Sequence, residues 1–174
     1  MTGPGGGMYV EFTYKAIGVV HSEFTRKDAT PIQSIFSNAI GTVELFPEYA
    51  DGLKDIEGFS HLYLLYHFNQ ADSRSIVHKP FLDGKKERGI FAIRHFNRPN
   101  PIGLSIVELR RVDGNVLEVG GVDILDGTPV IDIKPYVRQF DAREHVRSGW
   151  VDEQHVETIK VKSFTPADLA DRRD

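Results

Sequence analysis

Asp132, Lys134 and Tyr136 stand at a spacing of two. A strand through them puts an acid, an ammonium and a phenol on one face, opposite Ile131 and Ile133. Such groups are costly to bury unless they serve one another or a ligand. Pro135 confines that strand to an edge or an end, near a rim where ligands enter barrels. Just upstream, Asp126-Gly-Thr-Pro129 joins a carboxylate, a hydroxyl and free backbone donors in one turn. A third chemistry-bearing stretch is Arg98-Pro-Asn-Pro-Ile-Gly-Leu-Ser105. Proline fixes φ and biases the residue before it toward extended geometry. Arg98 and Asn100 each precede a proline, so a stiff backbone holds both, and a stiff loop costs little entropy to order on binding. The plainer readings are an exposed Asp–Lys pair for the triplet and a tight strand entry for the proline loop.

Other polar residues sit in apolar surroundings. His61 opens a run of apolar and aromatic residues, and Asn69-Gln70 closes it with amide donors and acceptors. Gln33 follows Thr30-Pro31-Ile32 in a second stiff loop. His95 beside Arg94 suits either a phosphate contact or a solvated loop. Lys85, Lys86, Arg88, Arg94, Arg98, Arg110 and Arg111 crowd one interval, as either a basic patch or a solvated rim. The net charge of −4 argues against bulk coating of nucleic acid but allows such a patch. The absence of cysteine excludes disulfides, zinc–thiolate sites and a thiol nucleophile, and fits a reducing, cytoplasmic setting. The 7 histidines show no ligand spacing with carboxylates, so no metal is expected. There is no nucleophile-elbow serine and no phosphate-binding P-loop.

The elements that must carry these residues are short. Apolar runs between turn signals predict strands at 14–20, 42–46, 61–68, 89–93, 104–110, 116–119 and 130–133, with another over 160–164. The run at 61–68 is continuous enough to suggest cover on both faces. Asp113-Gly114 marks a hairpin turn. Pro47 to Leu53 suits one helical turn with proline at its start, and 141–151 suits a short helix. The pattern predicts a mainly β chain: a small closed or partly open β-barrel with short helices. Val116-Leu-Glu-Val-Gly-Gly121 imitates a dinucleotide-type glycine turn. However, its glycines are adjacent and Ile124-Leu-Asp-Gly-Thr-Pro129 follows as a turn where a helix is needed, so the fold is non-Rossmann.

With 174 residues, 40% hydrophobic and 26% charged, one domain with a real core is expected. Residues 1–10 read as a flexible, glycine-rich leader in which Met8 could be a start. Residues 11–165 read as the barrel domain and 166–174 as a tail. No run approaches the roughly 18 apolar residues that span a bilayer, and the beginning has no signal-peptide pattern.

The long motifs identify a family. Phe91-Ala-Ile-Arg94, Arg98-Pro-Asn-Pro-Ile-Gly-Leu-Ser105 and Asp126-Gly-Thr-Pro-Val-Ile-Asp-Ile-Lys-Pro-Tyr136 resemble the TrmO family (also YaeB, TsaA or VirR-like). So do Phe46-Pro-Glu-Tyr-Ala-Asp-Gly-Leu53 and Ile56-Glu-Gly-Phe-Ser-His-Leu62. The resemblance implies a dimeric β-barrel methyltransferase that uses S-adenosylmethionine and N6-methylates N6-threonylcarbamoyladenosine beside a tRNA anticodon. By position, it implies cofactor contacts at Pro31, Ile32, Gln33, Asn69, Gln70, Arg94, Leu104, Asp126, Gly127, Thr128 and Pro129. Arg98, Asn100 and His95 fall to the substrate side. Asp132 or Tyr136 suits the base, with Lys134 or Arg94 holding a carboxylate or phosphate. This chain departs from the family in having Asn69-Gln70 for a usual histidine–glutamine pair and Arg94-His-Phe-Asn97 for Arg-Ser-Pro-His. The C-terminal extension of longer members is expected to be missing. A regulatory module that binds the cofactor without turnover, and a methyltransferase with another substrate, are the alternatives.

Overall fold

The computed structural model describes residues 10–80 and 86–153. Its strands are β1 (Gly18–His21), β2 (Ile40–Leu45), β3 (His61–His67), β4 (Val77–His78), β5 (Arg88–Gly89), β6 (Ile102–Asp113), β7 (Val116–Gly120) and β8 (Thr128–Pro135). Six of them close into a barrel in the order β1-β2-β7-β6-β3-β8, and β4 and β5 form a separate ladder. Every pairing is antiparallel. The expected mainly β, non-Rossmann barrel is what forms, and it is closed.

Alternation builds the interior. In β3, Leu62, Leu64 and Tyr66 point inward at 0%, 0% and 5% exposure. Opposite them, Val107, Ser105 and Gly103 of β6 face the same way. Val20, Val43, Leu117, Val119 and Val130 complete a core with no exposed surface. β-Branched side chains suit this pleated packing, and burying each such side chain contributes about 1.5–3 kcal/mol. The second face of β3 is not fully covered, contrary to the expectation from its continuous apolar run. Tyr63 and Leu65 are only half-buried, because among the described residues no helix or second sheet is laid over this face of β3.

Several predicted elements shift. β1 starts at Gly18 rather than 14, and Tyr14 lies 67% exposed outside the ladder. The strand expected at 89–93 is only Arg88–Gly89, followed by a 3₁₀ turn over Ile90–Ala92. Ile90 and Ile93 are both buried, and a spacing of three is the 3₁₀ period, not the strand period. The helix expected at 141–151 is replaced by one α-turn, Arg138–Asp141, and a 3₁₀ turn, Gly149–Glu153. Left-handed backbone at His145 (φ 55°) and Gly149 (φ 60°) interrupts it. Pro47 does open a helical turn, the 3₁₀ segment Pro47–Leu53. The β6–β7 hairpin pairs Asp113 with Val116, with Gly114 at φ 59° in the turn. The predicted strand at 160–164 lies outside the described residues.

Gly103 is required where Tyr66 crosses β6. A Cβ built on Gly103 would lie 2.1 Å from Cε2 of Tyr66. Gly103→Ala should therefore displace the Tyr66 ring and destabilise the barrel by about 1–3 kcal/mol in urea unfolding. Gly52→Ala, where nothing lies within 4 Å of the added carbon, should change stability by no more than about 0.5 kcal/mol.

Candidate functional site

One end of the barrel gathers the C-terminal ends of β1 and β3 and the N-terminal ends of β6 and β8. The loops there enclose a cavity of about 420 Å³, within the range of small-ligand sites. Its floor is Tyr66, Ile124 and Thr128; Phe68 and Phe96 supply aromatic walls.

The stiff loops meet here. Pro31, Ile32 and Gln33 line the cavity, as do Asn69 and Gln70 from the end of β3. Arg94, Leu104 and Thr128 also line it. Gln33 Oε1 accepts a 2.8 Å hydrogen bond from Arg94 Nη1, which ties the two loops together. Asp126, Gly127 and Pro129 are not among the residues that line the cavity. Asp126 Oδ1 accepts from the Ser22 amide at 3.1 Å. The Asp126 and Gly127 amides donate to Phe24 O and Val20 O. Gly127 at φ 76° makes this turn possible. The Asp126-Gly127 turn thus holds Thr128 in place through the end of β1.

The proline loop is fixed by its backbone. The Phe68 amide donates to Pro101 O and the Ser75 amide to Asn97 O, while Arg74 Nη1 donates to Pro99 O. Arg98 and Asn100 both reach the cavity wall. Arg98 is also a brace, since its Nη1 donates to Ile93 O at 3.1 Å. His95 lines the cavity and is only 3% exposed, so it does not solvate a loop. It stacks on Phe96 with ring centroids 4.3 Å apart, and its Nδ1 accepts from the Asn97 amide. Burial, with His78 and Arg98 nearby, pushes its pKa down to about 4. A neutral imidazole at pH 7 offers a hydrogen bond but no charge to a phosphate.

The triplet at 132–136 is not brought to the cavity. Between Leu65 and Tyr66 the pairing with β8 slips, so Tyr66 faces Val130 while Leu65 faces Asp132. The bulge at Ile131 flips the alternation. Thr128 and Val130 point inward, and then Ile133 does, opposite buried Leu64. Asp132 and Lys134 therefore share the outer face, where Lys134 Nζ lies 2.8 Å from Asp132 Oδ2. Tyr136 packs beside His61 and Tyr63, with centroids 6.4 and 5.7 Å away.

A buried polar chain occupies the cavity floor instead. Tyr66 Oη lies 3.0 Å from Ser105 Oγ, and Ser105 Oγ donates to Asp123 Oδ1 at 2.6 Å. Ser105 has one hydroxyl proton, so Tyr66 is the donor in the first bond whenever Asp123 is ionised. Burial pushes the Tyr66 phenol well above its ordinary range and Asp123 up to about 6. Sequence reasoning passed over these residues. The available signal was a tyrosine and a serine at the inward positions of two otherwise apolar strands.

A closed antiparallel barrel with a loop-built, part-apolar, part-basic cavity at one end defines a non-Rossmann small-ligand-binding protein. The family model of the tRNA-methyltransferase O N-terminal domain matches residues 19–142, and the chain belongs to that family. A probable S-adenosyl-L-methionine-binding protein of Pyrococcus abyssi is 50% identical over 141 residues, covering 80% of this chain and 76% of that one. The tRNA (adenine(37)-N6)-methyltransferase of Escherichia coli is 42% identical over 136 residues, covering 72% of this chain but 58% of that enzyme. The crystal structure of TrmO from Pseudomonas aeruginosa superposes with a TM-score of 0.70 at 34% identity, covering 92% of this chain and 80% of that one.

The neutral state of His95 can be read directly. In a proton–carbon NMR titration, its ring should remain mostly unprotonated from pH 7 down to 5, with a midpoint near 4. A midpoint near the ordinary 6.5 would contradict the buried, stacked geometry.

Proposed function

We propose that this chain is an S-adenosylmethionine-dependent tRNA methyltransferase acting on N6 of an adenosine beside the anticodon. The observation that carries this reading is the convergence of the family's motif loops on one cavity whose chemistry suits that cofactor. Phe68 offers an aromatic surface for an adenine ring. The Gln33, Asn69 and Gln70 amides offer donors and acceptors for its polar edges, and Arg94 offers a partner for an amino-acid carboxylate. Bound there, the cofactor supplies a methyl group on a positively charged sulfur.

The chain's own contribution is alignment. Rigid loops hold the two reactants in line and exclude water, which is where most of the advantage of such a transfer arises. Lys27, Arg94 and Arg98 edge the same cavity and suit the phosphates of an RNA strand. Arg98 also suits the carboxylate of a threonylcarbamoyl group, which supports N6-threonylcarbamoyladenosine as the substrate. A homodimer fits the outer face of β6, where Ile102, Leu104 and Ile106 are 41%, 48% and 40% exposed. Leu104 also lines the cavity, so a second copy there would sit beside the site. A cytoplasmic setting follows from a tRNA substrate and agrees with a cysteine-free chain.

The test is transfer of labelled methyl from S-adenosylmethionine to tRNA bearing threonylcarbamoyladenosine, followed by nucleoside mass spectrometry. A one-methyl gain on that nucleoside is the expected result. Cofactor binding with no methyl on any tRNA would instead support a binding module without turnover. Arg94→Ala should weaken cofactor binding by about tenfold, the loss of one charge-assisted contact.

A further inference from the structure

Among the described residues, Asp123 is the only carboxylate lining the cavity, beside Lys27, Arg94 and Arg98. It is half-buried and lines that cavity. No cation lies within 4 Å of it among the described residues. An anion kept in such a place without an ion pair is costly, so it points to a positive charge that arrives with a ligand.

The nature of that charge follows from the acceptor sites left over. A carboxylate has about four lone-pair positions. Asp123 Oδ1 already accepts from Ser105 Oγ, and the nearby backbone N–H groups of Asp123 and Ser34 favour its charged form. An ammonium, which brings three N–H donors, would compete with these groups for the carboxylate's lone pairs. A sulfonium brings none and needs only a nearby negative charge in an apolar place.

We propose that Asp123, held by Ser105 and Tyr66, is the counter-charge for the cofactor's sulfonium and the residue by which the site prefers S-adenosylmethionine to S-adenosylhomocysteine. This rests on the cofactor reading above. The product is a neutral thioether, so after transfer the interaction that held the donor is gone. The same carboxylate thus favours donor binding and product release.

A pH signature accompanies this assignment. Without ligand, burial holds Asp123 near 6, so a sizeable fraction is protonated at pH 6. The groups facing it are Tyr66 from β3, which stays neutral far above this range, Ser105 from β6, and Arg94 from the loop before the prolines. The 34–36 turn contributes only the Ser34 amide. His95, elsewhere on the wall, titrates near 4, below the window. A bound cation favours the ionised carboxylate, so donor affinity should strengthen as pH rises through 6.

Calorimetry on the full chain tests this with both nucleosides. S-adenosylmethionine should bind up to about tenfold more tightly at pH 7 than at pH 5, while S-adenosylhomocysteine changes by less than about twofold. Asp123→Asn should cut donor affinity by about tenfold, flatten its pH dependence and leave product affinity within about threefold. If Asp123→Asn does not fold, Ser105→Ala serves. It removes a hydrogen bond that stabilises the anion, so the midpoint of the donor profile should move to higher pH. Equal loss of both nucleosides in Asp123→Asn, or a donor affinity independent of pH in the unaltered chain, would overturn the assignment. Failure of the unaltered chain to bind either nucleoside at any pH would instead overturn the cofactor reading itself.

Discussion

Strand β8 pairs with β1 over Thr128–Val130 and with β3 from Val130 onward, and the barrel closes through this double pairing. The two partnerships have different registers, and the bulge at Ile131 reconciles them. Closure leaves the barrel without open edges, which removes the main aggregation hazard of a small sheet. It also fixes which side chains of β8 see the interior. Before the bulge Thr128 and Val130 point in; after it Ile133 does, and Asp132 and Lys134 face out.

The cavity is a consequence of that closure. Strand ends converge on one side of the barrel, and their connecting loops must cross the opening. Prolines at 31, 99 and 101 stiffen those crossings, and backbone hydrogen bonds between 68–75 and 97–101 join them. The result is a preformed pocket whose walls rest on a rigid base. A Rossmann site uses a helix N-terminus and spaced glycines; here strand ends and proline loops perform the positioning.

Much of this was legible in the residues. Alternating apolar positions located most barrel strands, and the proline loops and amide pair that sequence reasoning selected do meet in one place. Two features were hidden. The bulge is a relation between β8 and β3, so the local pattern in 126–136 leaves open whether the acid, ammonium and phenol face a ligand or form the exposed pair that the structure shows. Asp123 was hidden because nothing in the sequence around it shows that its carboxylate is buried. Its significance appears only when β3 and β6 bring Tyr66 and Ser105 to it, from residues 57 and 18 positions away in the chain by their numbers.

We place the methyl donor of this chain in the loop-built cavity at the barrel mouth. The most direct measurement is the map of backbone amide shifts in a nitrogen–proton NMR spectrum as S-adenosylmethionine is added. Shifts should concentrate at Gln33, Asn69, Gln70, Leu104 and Asp123, with Lys134 and Tyr136 unmoved. Shifts centred on the outer face at Asp132–Tyr136, with the cavity loops unmoved, would contradict this placement.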